Sequence, residues 1–315
     1  MRSDVYSLMT QPDGPRSSTT LGRRARLALS AVLLPLGIAT GCGGGLTDSP
    51  VTTTTEPEMT VVEGRPLRRR NGRLHRARSR RGHSRLTDRQ ALWLSPSVRE
   101  ALGNHWRNQG ELEHASVIAF QDLAHRLAMV DAPDDLLRRS LQAAAQEADH
   151  AERCFELAGR YLGESLRPGR LRRPVRLPRS RESELIRLAE EALRDGVLNE
   201  GYAAWLATQQ LHRARDQRVR DTLAVIARDE AHHAALSADV LAWCIAEGGQ
   251  PVVEAVRELA ESLPDRMVAC VPPTGIDPKA LADHGLLDSD ADGSGYAQVL
   301  ADTLTVVFGS ERLAA

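Results

Sequence analysis

The stretches Ala145-Gln-Glu147-Ala-Asp-His150-Ala-Glu-Arg-Cys-Phe155 and Ala227-Arg-Asp-Glu230-Ala-His-His233-Ala decide how this chain is read. Each contains Glu-x-x-His. Residues three apart on an α-helix project from the same side, so each motif aims a carboxylate and an imidazole at one point. Both motifs sit inside apolar stripes of helical period. Leu136, Ser140, Ala143, Ala144, Ala151, Cys154 and Leu157 continue the first stripe and predict a helix over 134–162. Leu223, Ile226, Ser237, Leu241 and Cys244 continue the second and predict a helix over 217–247, ended by Gly248-Gly249.

Each of these helices follows one with a single inward glutamate. Trp106, Glu113, Val117, Phe120, Ala124 and Leu127 share one face of a helix predicted over 97–130. Leu193, Val197, Glu200, Ala204, Ala207 and Leu211 share one face of another over 181–213. Asp131-Ala-Pro133 separates the first two helices, with Asp134 or Asp135 available as a cap, and Gly163 stops the second. Glu113 to Glu147 is 34 residues and Glu200 to Glu230 is 30; the longer loop around 131–135 accounts for the difference. The chain therefore reads as a duplicated helical hairpin. The connection over 163–180 holds three Pro and six Arg, so it is no helix interior. Its length suits a crossover from one end of the molecule to the other. The predicted fold class is all-α, a four-helix bundle of two hairpins joined by that crossover.

Four carboxylates inside apolar stripes are the chemical clue. Burying each one unpaired would cost several kcal/mol. Two divalent cations would neutralise all four. Oxygen and nitrogen donors suit iron or manganese. The four cysteines, Cys42, Cys154, Cys244 and Cys270, form no CxxC pair, which excludes a thiolate zinc finger or a rubredoxin-like centre. Cys154 and Cys244 read as small apolar packing residues. Glu111 is an alternative to Glu113 but faces elsewhere. His114 and His232 lie about 100° around the helix from their neighbouring candidate ligands and read as surface residues. Asp149 and Asp229 either orient the imidazoles or stand in solvent.

Together with Gly110-Glu-Leu-Glu113-His-Ala-Ser-Val-Ile-Ala-Phe120 and Gly196-Val-Leu-Asn-Glu200, these motifs resemble the ferritin-like superfamily over residues 97–248. The resemblance implies two metal ions, iron by family preference and manganese as the alternative. It implies Glu147 and Glu230 as bridging carboxylates and Glu113 and Glu200 as terminal ligands. His150 and His233 would each hold one ion. It further implies an oxidoreductase of the ferroxidase type, or one reducing O2 or H2O2, with Fe(II) as substrate. An oxygenase acting on a small molecule and a non-catalytic iron-binding or storage protein are the alternatives. Ala115, Ala119, Ala203 and Ala204 could line an organic pocket or serve close helix packing.

The N-terminal third reads differently. Arg23, Arg24 and Arg26 precede a short apolar run over 27–41 that ends in Ala39-Thr-Gly-Cys42. This is the pattern of an export signal, too short for a membrane-spanning helix, and it resembles a bacterial lipobox. Residues 1–42 are expected to be a lipoprotein-type segment with Cys42 lipidated. The protein would then be anchored to the cell envelope, plain secretion being the alternative. A tether on each subunit argues against a closed storage shell; a smaller homo-oligomer stays open. Residues 43–92 read as a disordered tether, and 65–85 hold ten Arg, an asymmetry that the net charge of -1 conceals. The basic run has no aromatic residues to stack bases, so nucleic acid is not its expected partner. Anionic envelope surfaces are, with a solvated linker as the alternative.

The 315 residues are 42% hydrophobic but only 3% aromatic, so aliphatic packing must form the core. The bundle is placed at 93–250. Residues 251–315 read as a helical or irregular extension with one short helix near 295–307. Within it Asp288-Ser-Asp290-Ala-Asp292-Gly293 opens like a calcium loop, but Val299 stands where the bidentate glutamate belongs, so it reads as an acidic loop.

Overall fold

A computed structural model describes residues 64–68, 77–82, 91, 93–170, 179–264, 275–287 and 289–308. Cys42, the expected signal segment and the middle of the expected crossover lie outside the described residues.

The described chain is mostly helical. Helix α1 (Pro96–Met129) begins where the Ser95 hydroxyl accepts the Val98 N–H and Pro96 fills the first turn. Asp131 then takes a φ of 57° and Pro133 follows, so the helix does not continue. Helix α2 (Asp134–Leu162) has no side-chain cap bond. Asp134 and Asp135, expected as caps, instead sit in the first turn, where they face the positive end of the helix dipole. Gly163 ends α2 at a φ of 70°, a conformation that glycine adopts without strain. The third rod has three parts: α3 (Arg181–Glu191), a π-helical segment (Ala192–Leu198) and α4 (Asn199–Arg213). Helix α5 (Gln217–Gly248) is capped by Asp216, whose carboxylate accepts the Arg218 and Val219 N–H groups. These bounds match the expected helices to within one residue, but periodicity gave no warning of the π segment.

Two apolar clusters divide the core and fix the helix directions. One contains Phe120 and Leu127 of α1, Leu136 and Ala143 of α2, Leu188 and Leu193 of the third rod, and Leu236 and Leu241 of α5. The other contains Leu102 and Trp106, Leu157 and Tyr161, Ala207, and Val219 and Leu223. Helices α1 and α5 therefore run from the second cluster to the first, and α2 and the third rod run back. Helix α2 and the third rod thus point the same way, so the end of α2 and the start of the third rod lie at opposite clusters.

The described part of the C-terminal extension is helical and packs on the bundle. Helix α6 (Gln250–Ser262) adds Val252 and Val256 to the first cluster. After the short α7 (Pro278–Ala282), α8 (Ser289–Phe308) packs Tyr296 and Leu300 on Leu198, Tyr202 and Leu206. Helix α8 starts six residues earlier than expected, so the supposed acidic loop from Ser289 onward is helical.

Two short pieces of the expected tether also lie against the helices. Strand β1 (Ser79–Arg81) pairs antiparallel with β2 (Leu166–Pro168). Residues 64–68 enter the seam between α1 and the third rod. The Ser116 hydroxyl donates to the Arg65 carbonyl at 2.7 Å, and Arg65 Nη1 donates to Ser237 Oγ at 3.2 Å. Arg68 donates to Asp195 in the π segment at 2.9 and 3.0 Å. Leu67 and Ala77 pack on Ala115 and Ala119. Beside those two alanines the inserted chain fills the seam. Arg126 ties the same two rods further along through Glu184 and Glu191.

Gly196 in the π segment lies directly on Ser237, and a Cβ there would collide with that side chain's own Cβ. Gly196→Ala should therefore lower unfolding free energy by about 1–3 kcal/mol through overpacking. Gly201→Ala, whose Cβ would meet only Val299 at 3.5 Å, should be neutral or stabilising by up to about 1 kcal/mol. Denaturant midpoints of the two variants provide the comparison.

Candidate metal centre

The layer between the two apolar clusters is polar, and all six candidate ligands lie in it. Glu113 comes from α1, Glu147 and His150 from α2, Glu200 from the first turn of α4, and Glu230 and His233 from α5. Five of them are buried to within 1% of complete; Glu113 keeps 14% of its side chain exposed. The π segment ends immediately before Asn199 and Glu200. Along α4, Ala203, Leu206, Ala207 and Gln210 are buried; of the expected inward residues, Ala207 is buried and Leu211 packs partly buried against the second cluster, while Ala204 is only half-buried.

The six side chains form two overlapping groups, each able to hold a metal ion. Glu113, Glu147, His150 and Glu230 make one; Glu147, Glu200, Glu230 and His233 make the other. Within each group, one ligand atom from every residue lies within 4.8 Å of the others. Both groups share Glu147 and Glu230, the pair that the family resemblance assigns as bridges. His150 Nδ1 is 3.3 Å from Glu230 Oε1 and 3.8 Å from Glu147 Oε2. His233 Nδ1 is 3.1 Å from Glu147 Oε1 and 3.6 Å from Glu230 Oε2. The ring centroids are 6.0 Å apart.

The outer nitrogens are held from behind in a crossed pattern. His150 Nε2 lies 3.3 Å from Asp229 Oδ2, and His233 Nε2 lies 3.1 Å from Gln146 Oε1. The residue before the Glu of each motif thus orients the histidine of the other motif, and both rings turn Nδ1 inward. Asp229 is one of the two orienting candidates named from sequence; the other, Asp149, is half exposed and paired with Arg153. Gln146 was missed. Its signal was its position, one residue before Glu147 as Asp229 is one before Glu230. Glu111 faces away and accepts the Ser79 N–H and hydroxyl. His232 is exposed, and His114 Nε2 meets the Gly169 carbonyl at 3.0 Å. Cys154 and Cys244 are buried in the apolar clusters and form no disulfide, and burial pushes the Cys244 thiol up to about 12.

The electrostatics are those of a site built for cations. Burial and the neighbouring Glu147 charge hold the Glu113 carboxyl well above its usual range. Burial and Glu230 do the same to Glu200. Burial would also raise Glu147 and Glu230, but the facing imidazoles outweigh it at Glu147, and Glu200 together with the imidazoles outweighs it at Glu230, so both stay low. Burial opposes charge on the histidines; Asp229 and three glutamates nevertheless raise His150, and Glu147 and Glu230 raise His233 to about 9. Protons therefore stand where positive charge is needed. Both oxygens of Glu147, Glu200 and Glu230, and Nδ1 of both histidines, have no hydrogen-bond partner among the described residues. Unpartnered donors converging in a dry layer fit a metal ion, which would satisfy them together.

A small cavity of about 20 Å³, room for about one water, adjoins Glu113 and is lined by Trp106, Gln109, Cys154, Ala203 and Gln210 among others. Of the four alanines considered as pocket residues, Ala203 lines it. Ala115 and Ala119 hold the inserted chain instead.

Asp229→Asn should weaken divalent-metal binding about 10- to 100-fold, because it removes the acceptor that turns His150 inward. Asp149→Asn should leave binding unchanged; Co(II) titration followed by its visible absorption compares them. Metal affinity should also fall as pH drops below about 9, since the proton on His233 must leave before its nitrogen can bind a cation. No protein-family model matches this chain, and no curated protein and no solved structure is significantly similar to it.

Proposed function

We propose that the chain is a ferritin-like four-helix protein with a two-metal carboxylate centre, and that it oxidises Fe(II) with O2 or H2O2 as electron acceptor. One observation carries the reading: two Glu-x-x-His motifs and two single glutamates meet in one buried layer as two groups that share Glu147 and Glu230. Four carboxylates balance two divalent ions, and the mixed oxygen and nitrogen donors suit iron, with manganese as the alternative. Bound iron would supply the one-electron chemistry that the side chains lack.

The chain's own residues do the rest. Glu147 and Glu230 would be shared by both ions, and Glu113 and Glu200 would each hold one. Asp229 and Gln146 fix the rings, so that Nδ1 and not Nε2 faces inward. The clusters above and below exclude water, which strengthens every charge interaction between them. Glu113, the one ligand with exposed surface, stands where small reactants would enter, beside the cavity. That cavity is far smaller than an organic substrate requires, which favours an oxidase of small inorganic reactants over an oxygenase. The lipobox-like sequence at Cys42 supports attachment to the cell envelope.

The test is elemental analysis of the full chain loaded anaerobically with Fe(II), beside a Glu147→Ala, Glu230→Ala variant. About two iron atoms per chain, lost in the variant, are expected from the ligand count. Stopped-flow absorbance should then show iron oxidation on mixing with O2 or H2O2. Wild type that takes up no metal sinks the centre itself; bound iron that neither oxidant oxidises sinks the oxidase and leaves a binder.

A further inference from the structure

The fold joins two arginine-rich parts of the sequence that lie far apart. Arg80 of β1 and Arg167 of β2, 87 positions apart, sit directly opposite one another in the ladder. Side chains of such a pair point to the same face, and like charges there repel. Arg78 lies two residues before Arg80 and shares its face; Arg170 follows β2. All four are exposed, and none has an acidic partner among the described residues. Arg81 differs: it pairs with Glu164 at 2.8 Å.

The ribbon is built, not draped. Its inner face is fastened to α1, where Glu111 accepts both the N–H and the hydroxyl of Ser79, at 2.9 and 2.7 Å. His114 meets the Gly169 carbonyl at 3.0 Å. Gly169 lies so close to the Arg78 carbonyl that any side chain there would strike it. A fold that spends such contacts on setting unpaired arginines side by side, facing outward, presents a surface for an anion larger than one residue.

We propose that the β1–β2 ribbon, with Arg78, Arg80 and Arg167 on its outward face and the exposed Arg170 just beyond β2, docks the protein on an anionic phospholipid bilayer. Guanidinium groups bind phosphate oxygens through paired donors, and a flat row of headgroups matches a flat row of arginines. The ribbon holds no aromatic ring on which a base could stack, which disfavours single-stranded nucleic acid. The molecule also carries an exposed indole: Trp93, 73% exposed, packs on His284 before α1 begins. Tryptophan favours the headgroup layer of a bilayer. A lipid on Cys42 would hold this surface near its target, but the ribbon's charge acts without it.

The test uses the full chain carrying Cys42→Ala, so that no acyl chain contributes, and flotation with vesicles. Binding is expected to vesicles of phosphatidylcholine with phosphatidylglycerol, to be absent from phosphatidylcholine alone, and to be released by salt. Replacing the four arginines by glutamine should weaken it on the order of a hundredfold or more. Gly169→Val keeps every arginine but unseats β2, and should weaken binding as well; circular dichroism confirms that both variants stay helical. Equal binding to neutral vesicles, undiminished binding by either variant, or tighter binding to duplex DNA than to the anionic vesicles would overturn the proposal. None of these results depends on the metal centre.

Discussion

Four carboxylates and two imidazoles share one layer sealed between aliphatic clusters, and the rest of the structure is arranged around that layer's demand for positive charge. A charge moved from water into such an interior is stable only when paired. Burial and like charge favour the protonated forms of Glu113 and Glu200, the carboxylates favour the charged histidines, and divalent ions could meet the same demand. The helices must be long because the layer needs an apolar seal on both sides. Leu102 to Leu127 on α1 and Val219 to Leu241 on α5 each span both seals with the polar layer between.

The layer is nearly symmetric, but its surroundings are not. Asp229 and Gln146 hold the two rings in the same way from opposite helices. Their difference in charge makes the His150 side the more basic, since a carboxylate stabilises imidazolium and an amide does not. The flanks differ more. Beside Glu200, residues 64–68 close the seam and bury the Arg65 guanidinium, which lies 5.3 Å over the Phe120 ring. Beside Glu113 lies the cavity. Gly64 of the inserted segment also lines that cavity, so chain from outside the duplicated hairpins shapes both flanks.

Much of this was legible in the sequence, for a local reason. A helix buries one face, so its inward residues recur every three or four positions, and that period is written in the chain whatever the helix packs against. Glu113, Glu147, His150, Glu200, Glu230 and His233 could be placed in one set because each interrupts such a stripe. The breakers at Pro133 and Gly163 are local as well. The crossover followed from counting residues between stripes.

What escaped the sequence depends on contacts between distant segments. The π segment keeps an apolar composition compatible with an ordinary helix; it is the packing of Gly196 against Ser237 that goes with it. Gln146 gains a role only because α5 brings His233 to it, 87 residues away. Arg65 reaches Ser237 across 172 residues, and the arginines of β1 and β2 meet only because the crossover returns past the N-terminal segment. Sequence by itself determined the helices and the six residues of the polar layer, because both follow from the period of a single helix. Tertiary structure alone decided how the rings are aimed, how the flanks are shaped and where the arginines gather, because non-local contacts leave no period in the chain.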